Sequence, residues 1–231
     1  MAVLAKGIRT AAGKADPALP HISMRLTSPV PGAVLYFSAE RSPVGPTPIW
    51  RDTVSGAEWK SNDAAGAPEI MVDSVGKKVL FFDGVDDMLT MPLALSQPST
   101  TIVVARFREV RDSSVVVSGA SGPVTSIGAN SASTYWILNA GKGLAAPGTA
   151  AVDTGTHIFM GVANGANSVM RVDTSENTGD AGSNNRTLMR VGYGAGYERL
   201  NVYAVIVLPY AADKAERDRI YAQLRTDYFG T

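Results

Sequence analysis

The sequence predicts an all-β fold, a sandwich of two antiparallel sheets followed by a single C-terminal helix. Short apolar runs rich in β-branched and aromatic residues recur along the chain, and turn-forming residues separate them. One late segment instead has its apolar residues at helical spacing. The chain has 231 residues, 23 of them glycine, and 45% are hydrophobic. This composition suits one domain with a sizeable core and many tight turns.

The expected strands begin at residue 33 and continue to residue 208. They are residues 33–38, 78–82, 101–107, 114–118, 134–138, 156–163, 168–173, 187–191 and 201–208. The Asn-Gly-Ala-Asn sequence at 164–167 predicts a hairpin between two of these strands. Residues 39–78 are expected to be loop-rich because four prolines interrupt regular structure there: Pro43, Pro46, Pro48 and Pro68.

A helix is expected at the end of the chain. Asp213 and Glu216 form a pattern like a capping box at its start, and Gly230 would end it. One face of this segment is apolar, through Ile220, Tyr221, Leu224 and Tyr228. We therefore expect this helix to dock on a sheet or a sheet edge.

Two separated segments narrow the fold further. Residues 49–56 contain Trp50 and Asp52 ahead of a Ser-Gly pair, and residues 79–89 run from an apolar strand into Phe-Asp-Gly-Val-Asp-Asp. In this order they resemble the opening of the concanavalin A-like (laminin-G-like) jelly rolls of lectins and glucanases. The likeness covers residues 33–229 and implies a jelly-roll domain at 31–231. Because that fold carries lectins, hydrolases and structural modules, the resemblance assigns no function.

The second segment is expected to be a turn that stabilises itself. Gly84 tolerates the backbone of a tight turn, and the Asp86 and Asp87 carboxylates can accept hydrogen bonds from turn amides. The alternative is a calcium site formed by Asp83, Asp86 and Asp87. Their spacing differs from that of the EF-hand loop, so the turn is favoured and no metal is predicted.

Composition excludes several classes of partner. Lys plus Arg and Asp plus Glu both number 21, so the formal charge is zero and a nucleic-acid partner is not expected. Without cysteine, the chain has neither disulfides nor thiolate metal sites. No signal peptide and no membrane span are apparent, so we expect synthesis in the cytoplasm. No cofactor is predicted.

Residues 1–30 are expected to form an assembly arm. They lack aromatic residues, contain three prolines and carry four basic residues against one acidic residue. A segment this poor in core residues is most easily ordered by a neighbouring subunit, so a homo-oligomer or contacts with other proteins of a particle are expected. The apolar anchors of the arm would be Leu4, Ile8, Leu19, Ile22, Met24 and Leu26.

No catalytic set is apparent in the sequence. Laminarinase-type hydrolases on the resembled fold have a Glu-x-Asp-x-Glu strand, but here Met71 stands between Glu69 and Asp73 in place of the central carboxylate. Of the two histidines, His157 is expected to be a hydrogen-bonded residue of the sheet. The chain is therefore predicted to be non-enzymatic.

Sugar binding is the competing hypothesis. It requires polar loop groups and an aromatic face that stacks on a pyranose ring. The candidates are Tyr135, Trp136, Tyr193 and Tyr197, together with the polar loop 173–185. Core packing for Trp136, packing beneath the glycine-rich loop for Tyr193 and a solvated hairpin tip for 173–185 are the alternatives.

The resulting prediction is a structural protein of a tailed-bacteriophage virion, anchored by its N-terminal arm. Its place would be at the tail tip, baseplate or fibre, or as capsid decoration. The alternative is a carbohydrate-binding adhesin that contacts a glycan of the host surface. Tyrosines clustered on an open face would favour the adhesin, and tyrosines packed under loops would favour the scaffold.

Overall fold

The structure is a computed structural model of the chain. It describes residues 30–52, 54–61, 66–119, 125–148, 150 and 152–230. The six apolar anchors of the predicted arm, from Leu4 to Leu26, lie outside these residues, so the arm stays a prediction.

The first sheet contains nine strands within the described residues. They are β1 (Leu35–Ser38), β2 (Gly45–Pro46), β5 (Glu69–Val72), β6 (Lys78–Asp83), β8 (Ser99–Phe107), β13 (Thr156–Ala163), β14 (Ser168–Val172), β15 (Ser175–Gly179) and β17 (Arg199–Leu208). Their order is β15-β14-β13-β8-β17-β6-β5-β2, and β1 pairs with β17.

The second sheet contains eight strands in the same described part of the chain. They are β3 (Ile49–Arg51), β4 (Glu58–Ser61), β7 (Leu89–Leu95), β9 (Val115–Ser118), β10 (Thr125–Ala129), β11 (Trp136–Ala140), β12 (Gly143–Ala145) and β16 (Arg186–Val191). Their order is β12-β11-β10-β9-β16-β7-β4-β3. The central pairs β8–β17, β8–β13 and β7–β16 are antiparallel, which confirms the predicted antiparallel sandwich.

The main core lies between the two sheets. Alternate residues of each strand point into it, and its largest members include Phe37, Trp50, Trp59, Trp136 and Phe159. Val103 of β8 and Val205 of β17 lie there as well. Burial of this apolar area is the principal stabilising contribution in a chain without disulfides.

The Trp-Asp turn forms as its residue types predict. One oxygen of the Asp52 carboxylate accepts hydrogen bonds from the amides of Val54 and Ser55 and from the Ser55 hydroxyl. The other oxygen accepts one from the Tyr36 amide. Asp52 therefore links the turn after β3 to the first strand.

The C-terminal helix, α1 (Lys214–Phe229), covers the outer face of the first sheet. The Asp213 carboxylate caps its start by accepting from the Glu216 amide at 2.8 Å, and Gly230 ends it in the left-handed conformation. Ile220, Leu224 and Tyr228 are buried in a second, smaller core, as predicted. Within the described residues, no helix combines the length and the apolar character that crossing a membrane requires.

Several sequence predictions need correction. Residues 39–78 are loop-rich as expected, but they also contain four short strands, β2 to β5, that were not predicted. The predicted loop 173–185 contains β15, which pairs with β14 in a polar hairpin. Tyr36 and Phe81 lie on apolar strands but pack in the smaller core beneath α1, where Phe81 is half-buried. Val30, assigned to the arm, is buried in the same core.

Candidate functional site

A groove crosses the outer face of the second sheet, opposite the face that forms the main core. It consists of two adjoining hollows of about 380 and 470 Å³, which share Ser113, Val115, Ser126 and Asn139. Tyr135 lines the first hollow, and the second is lined by Arg190 and Tyr193. We call this feature, defined by Tyr135, Tyr193, Ser113, Ser126, Asn139 and Arg190, the tyrosine groove.

Strand alternation places polar side chains in the groove. On β16, Met189 and Val191 point into the main core, so Arg190 between them points outwards. On β10 and β11 the same alternation turns Ser126 and Asn139 outwards beside inward-facing apolar neighbours. The second sheet therefore has an apolar face towards the main core, and its outer face carries a polar surface flanked by two tyrosines.

The two tyrosines of the groove line different hollows. Tyr135 directly precedes β11, has 40% of its surface exposed, and its amide donates to the Asn130 side chain at 3.2 Å. Tyr193 follows β16 and is half-buried, and its carbonyl accepts from the Ser118 hydroxyl at 2.8 Å. Both rings are partly accessible and held by a fixed backbone.

The loop that carries Tyr193 is rigidly anchored. Gly192 has a φ of +83°, and a Cβ there would lie 2.2 Å from the Phe82 ring, so only glycine fits. The buried Glu198 carboxylate accepts from the Val115 amide at 2.9 Å, which ties the loop to β9. Burial raises the pKa of Glu198, and the hydrogen bond from Val115 partly opposes this shift.

Tyr197 lies on the other side of the same loop. Its ring meets that of Tyr193 edge-on, with 5.2 Å between the centroids. It lines a smaller hollow of about 230 Å³ together with Arg111 and Glu198. Three of the four predicted aromatic residues therefore surround one region of the surface.

Trp136 does not belong to this surface. It is wholly buried, and its ring packs 5.4 Å from that of Phe107 and 4.9 Å from that of Phe159. Such a side chain has no free face for a sugar ring, so the predicted role of Trp136 in sugar binding is corrected to one in the core. Its neighbour Tyr135 points the opposite way because successive residues of a strand alternate.

Several polar groups of the groove have no internal partner. Asn139 Oδ1 accepts from the Gly141 amide at 2.8 Å, which leaves the Asn139 NH₂ free to donate. Within the described part of the chain, the hydroxyls of Ser113 and Ser126 have no hydrogen-bond partner. Arg190 Nε is buried and lacks an acceptor among the same residues. Sequence reasoning missed Ser113, Ser126, Asn139 and Arg190, since no motif marks them.

A larger hollow than either half of the groove lies elsewhere, at the edge formed by β2 and β3. It measures about 610 Å³ and is lined by Trp50, Asp52 and three prolines. Trp50 is only 1% exposed, and the Asp52 carboxylate is occupied by the turn that it caps. Arg51 pairs with Glu58 at 2.6 Å. This hollow therefore offers less free polar chemistry than the tyrosine groove.

The three aspartates of the Phe-Asp-Gly segment form the expected turn. Asp83 Oδ1 accepts from the Val85 amide at 2.7 Å, and Asp87 Oδ2 accepts from the Asp83 amide at 2.8 Å. Ligand atoms of Asp83, Asp86 and Asp87 lie within 4.8 Å of one another. Burial is the main reason that the pKa of Asp87 rises to about 6.

The other titratable groups considered in the sequence serve the fold. Asp73 caps a turn through the amides of Val75 and Lys77, and its second oxygen accepts from the Tyr203 hydroxyl at 2.9 Å. His157 bridges two carboxylates, Asp173 at 2.7 Å and Asp153 at 2.8 Å. His157 is thus the hydrogen-bonded sheet residue that the sequence predicted.

No protein-family model and no curated protein matches the sequence. Solved structures do match the fold. A sialidase from Trypanosoma rangeli in complex with sialic acid aligns with 88% of this chain at 17% identity and a TM-score of 0.59. A structure of botulinum neurotoxin type C, whose cell entry is described as dependent upon interaction with two ganglioside molecules, aligns with 84% of this chain at 10% identity and a TM-score of 0.59. The binding domain of botulinum neurotoxin DC in complex with SialylT aligns with 84% at 10% identity and 0.56.

These likenesses show the β-sandwich fold and leave the family open. The chain spans 35% of the sialidase and 51% of each toxin chain. The prediction of a non-enzymatic protein is nevertheless corrected: this fold matches part of several sialidases, which are enzymes, so the missing carboxylate trio does not exclude an enzyme. The assignment to a bacteriophage virion stays a prediction, because the neighbours named are sialidases and neurotoxins.

Proposed function

We propose that the chain is a carbohydrate-binding domain and that the tyrosine groove holds the glycan. The main support for the proposal is that one groove combines accessible tyrosine rings with polar groups that remain available for hydrogen bonding. Tyr135 and Tyr193 offer apolar faces for pyranose rings, and Ser113, Ser126 and Asn139 offer hydrogen bonds to sugar hydroxyls. Such clustering on an open face is the arrangement that the adhesin hypothesis required.

The wider comparisons support this proposal. Two of the structural neighbours are toxin structures whose descriptions name a ganglioside or a sialylated ligand. Their identity to this chain is only 10%, so the argument depends on the residues of the groove. The predicted place in a phage virion would be compatible with a glycan-binding role at the host surface, and the arm would then provide attachment.

A glycan array followed by titration calorimetry tests the proposal. We expect Tyr135→Ala and Tyr193→Ala each to weaken binding of the best array ligand about tenfold, since each removes one stacking face. Tyr221→Ala is the matched control, because Tyr221 lies on α1 at the opposite face of the sandwich. Equal losses for all three variants, or no glycan bound by the unmodified protein, would contradict the proposal.

A further inference from the structure

Arg190 is the most unusual group in the tyrosine groove. It is the one charged side chain among the described residues that line the two hollows, and no carboxylate lines either of them in that part of the chain. The Arg190 guanidinium lies over the ring of Tyr193, with Cζ 5.8 Å from the ring centroid. A half-buried guanidinium thus faces an open groove, and the described residues supply no counter-ion to it.

Two other buried arginines of the described chain pair with carboxylates, whereas the buried Arg186 donates hydrogen bonds to Thr101 and Thr125. Arg217 forms two hydrogen bonds to the Glu176 carboxylate, at 2.6 and 3.0 Å. Arg171 pairs with Asp218 at 2.5 Å. Burying an arginine without a carboxylate is costly, so a partner is normally supplied. The side chain of Arg190 instead faces the open groove.

The donors around Arg190 match an anion as well. Asn139 has a free NH₂ group, and Ser126 and Ser113 have hydroxyls that can donate. A guanidinium presents a planar fork of N–H groups that fits the two oxygens of a carboxylate. A single cation with neutral donors suits one negative charge better than a doubly charged phosphate monoester.

We propose that the tyrosine groove selects acidic sugars and that Arg190 binds their carboxylate. Tyr193 would support the sugar ring beside that carboxylate, since its own ring already lies against Arg190. The inference rests on the proposed glycan-binding function and adds the class of ligand. Two classes of sugar carry the required group, namely uronic acids and nonulosonic acids such as sialic acid.

The test compares ligands that differ only in the charge. Oligogalacturonate is titrated against its methyl ester, and sialyllactose against its methyl ester, with sulfated lactose as a further arm. We expect at least tenfold tighter binding of one carboxylate form over its ester, weakening as salt concentration rises. The pair that shows the preference identifies the source of the carboxylate. Tighter binding of the sulfated sugar would overturn the assignment of a carboxylate.

Variants then separate the role of Arg190 from the fold. Arg190→Gln is expected to abolish the preference for the acid while binding of the ester persists, and Arg190→Lys is expected to retain part of it. Arg51→Gln, on the edge strand of the same sheet, is the control that removes the same charge outside the groove. Thermal melting confirms that each variant is folded.

The outcomes distinguish the two proposals. If the unmodified protein binds the acid and the ester equally, the inference fails while the glycan-binding function stands. If neither these ligands nor any glycan on the array binds, both proposals fail. An equal loss of acid and ester binding in folded Arg190→Gln would make Arg190 a positioning residue and overturn its contact with the carboxylate.

Discussion

The hydroxyl of Tyr228, near the end of α1, lies 3.3 Å from the hydroxyl of Tyr36 in the first strand. It also lies 3.2 Å from the Ser38 hydroxyl. The last helix and the first strand of the described chain are therefore joined beneath the helix. This contact makes α1 an integral part of the domain, and its apolar anchors should contribute to global stability.

Leu224→Ala should lower the free energy of unfolding by about 2–5 kcal/mol, because Leu224 is fully buried between α1 and the first sheet. Urea denaturation followed by circular dichroism measures the change. Gln223→Ala, one residue earlier on the exposed face, should change it by less than about 0.5 kcal/mol. An unchanged midpoint for Leu224→Ala would mean that the helix is loosely attached.

Protonation of His157 should stabilise the fold. Burial opposes the charge, but the hydrogen bonds to Asp173 and Asp153 outweigh it, so the pKa of His157 is raised above 6.5. This contribution is complete below pH 6.5 and is lost as the pH rises through the folded-state pKa. His157→Gln should make the thermal midpoint less dependent on pH between pH 6 and 8. An unaltered pH curve in this variant would contradict the ion pairs.

Protonation of Asp87 should also stabilise the fold, but in a lower pH range. Its pKa rises from 3.8 to about 6, mainly through burial, so its neutral form stabilises the fold below pH 4 and this contribution is lost by about pH 6. In Asp87→Asn the side-chain oxygen can still accept from the Asp83 amide. This variant should make the thermal midpoint less dependent on pH across this range. The exposed Asp86→Asn is the control, and identical curves for the two variants would refute the assignment.

Arg186 should be replaceable by an apolar residue. It is fully buried without a carboxylate partner among the described residues, and burial lowers its pKa to about 10. Arg186→Met should raise the free energy of unfolding by about 1–4 kcal/mol, because it removes an unpaired buried charge. Chemical denaturation measures the change. A marked loss of stability would mean that the hydrogen bonds to Thr101 and Thr125 outweigh the cost of burying the charge.

Local features of the fold were predictable from the sequence. The Asp52 turn, the Asp83–Gly84 turn and the Asp213 cap depend on residues a few positions apart, so their chemistry is visible in the residue types. Strands with strong apolar runs, such as β8 and β17, were also found. The polar β15 and the short β2 lack such a pattern and are defined only by pairing with a neighbour.

The candidate site was predictable only in part. Tyr135 and Tyr193 line the groove and Tyr197 packs against Tyr193 beside it, but Trp136 points inwards because it alternates with Tyr135 along the strand. Leu138 and Ala140, two and four residues after Trp136, also point into the core. This alternation of apolar residues is visible in the sequence and indicates a core position for Trp136. Arg190 lies on a strand far along the chain from Ser126 and Asn139. Only the order of the strands in the sheet brings these residues together, and no sequence spacing encodes that order.

The helix and the tyrosine groove occupy opposite outer faces of the sandwich. Val30 and Tyr228 both lie in the small core beneath the helix, so the two ends of the described chain emerge on that side. A tether, label or fused protein joined at residue 30 or at residue 230 would therefore be held away from the groove. If the proposed function holds, the face that carries the helix would serve for attachment and the opposite face would bind the glycan.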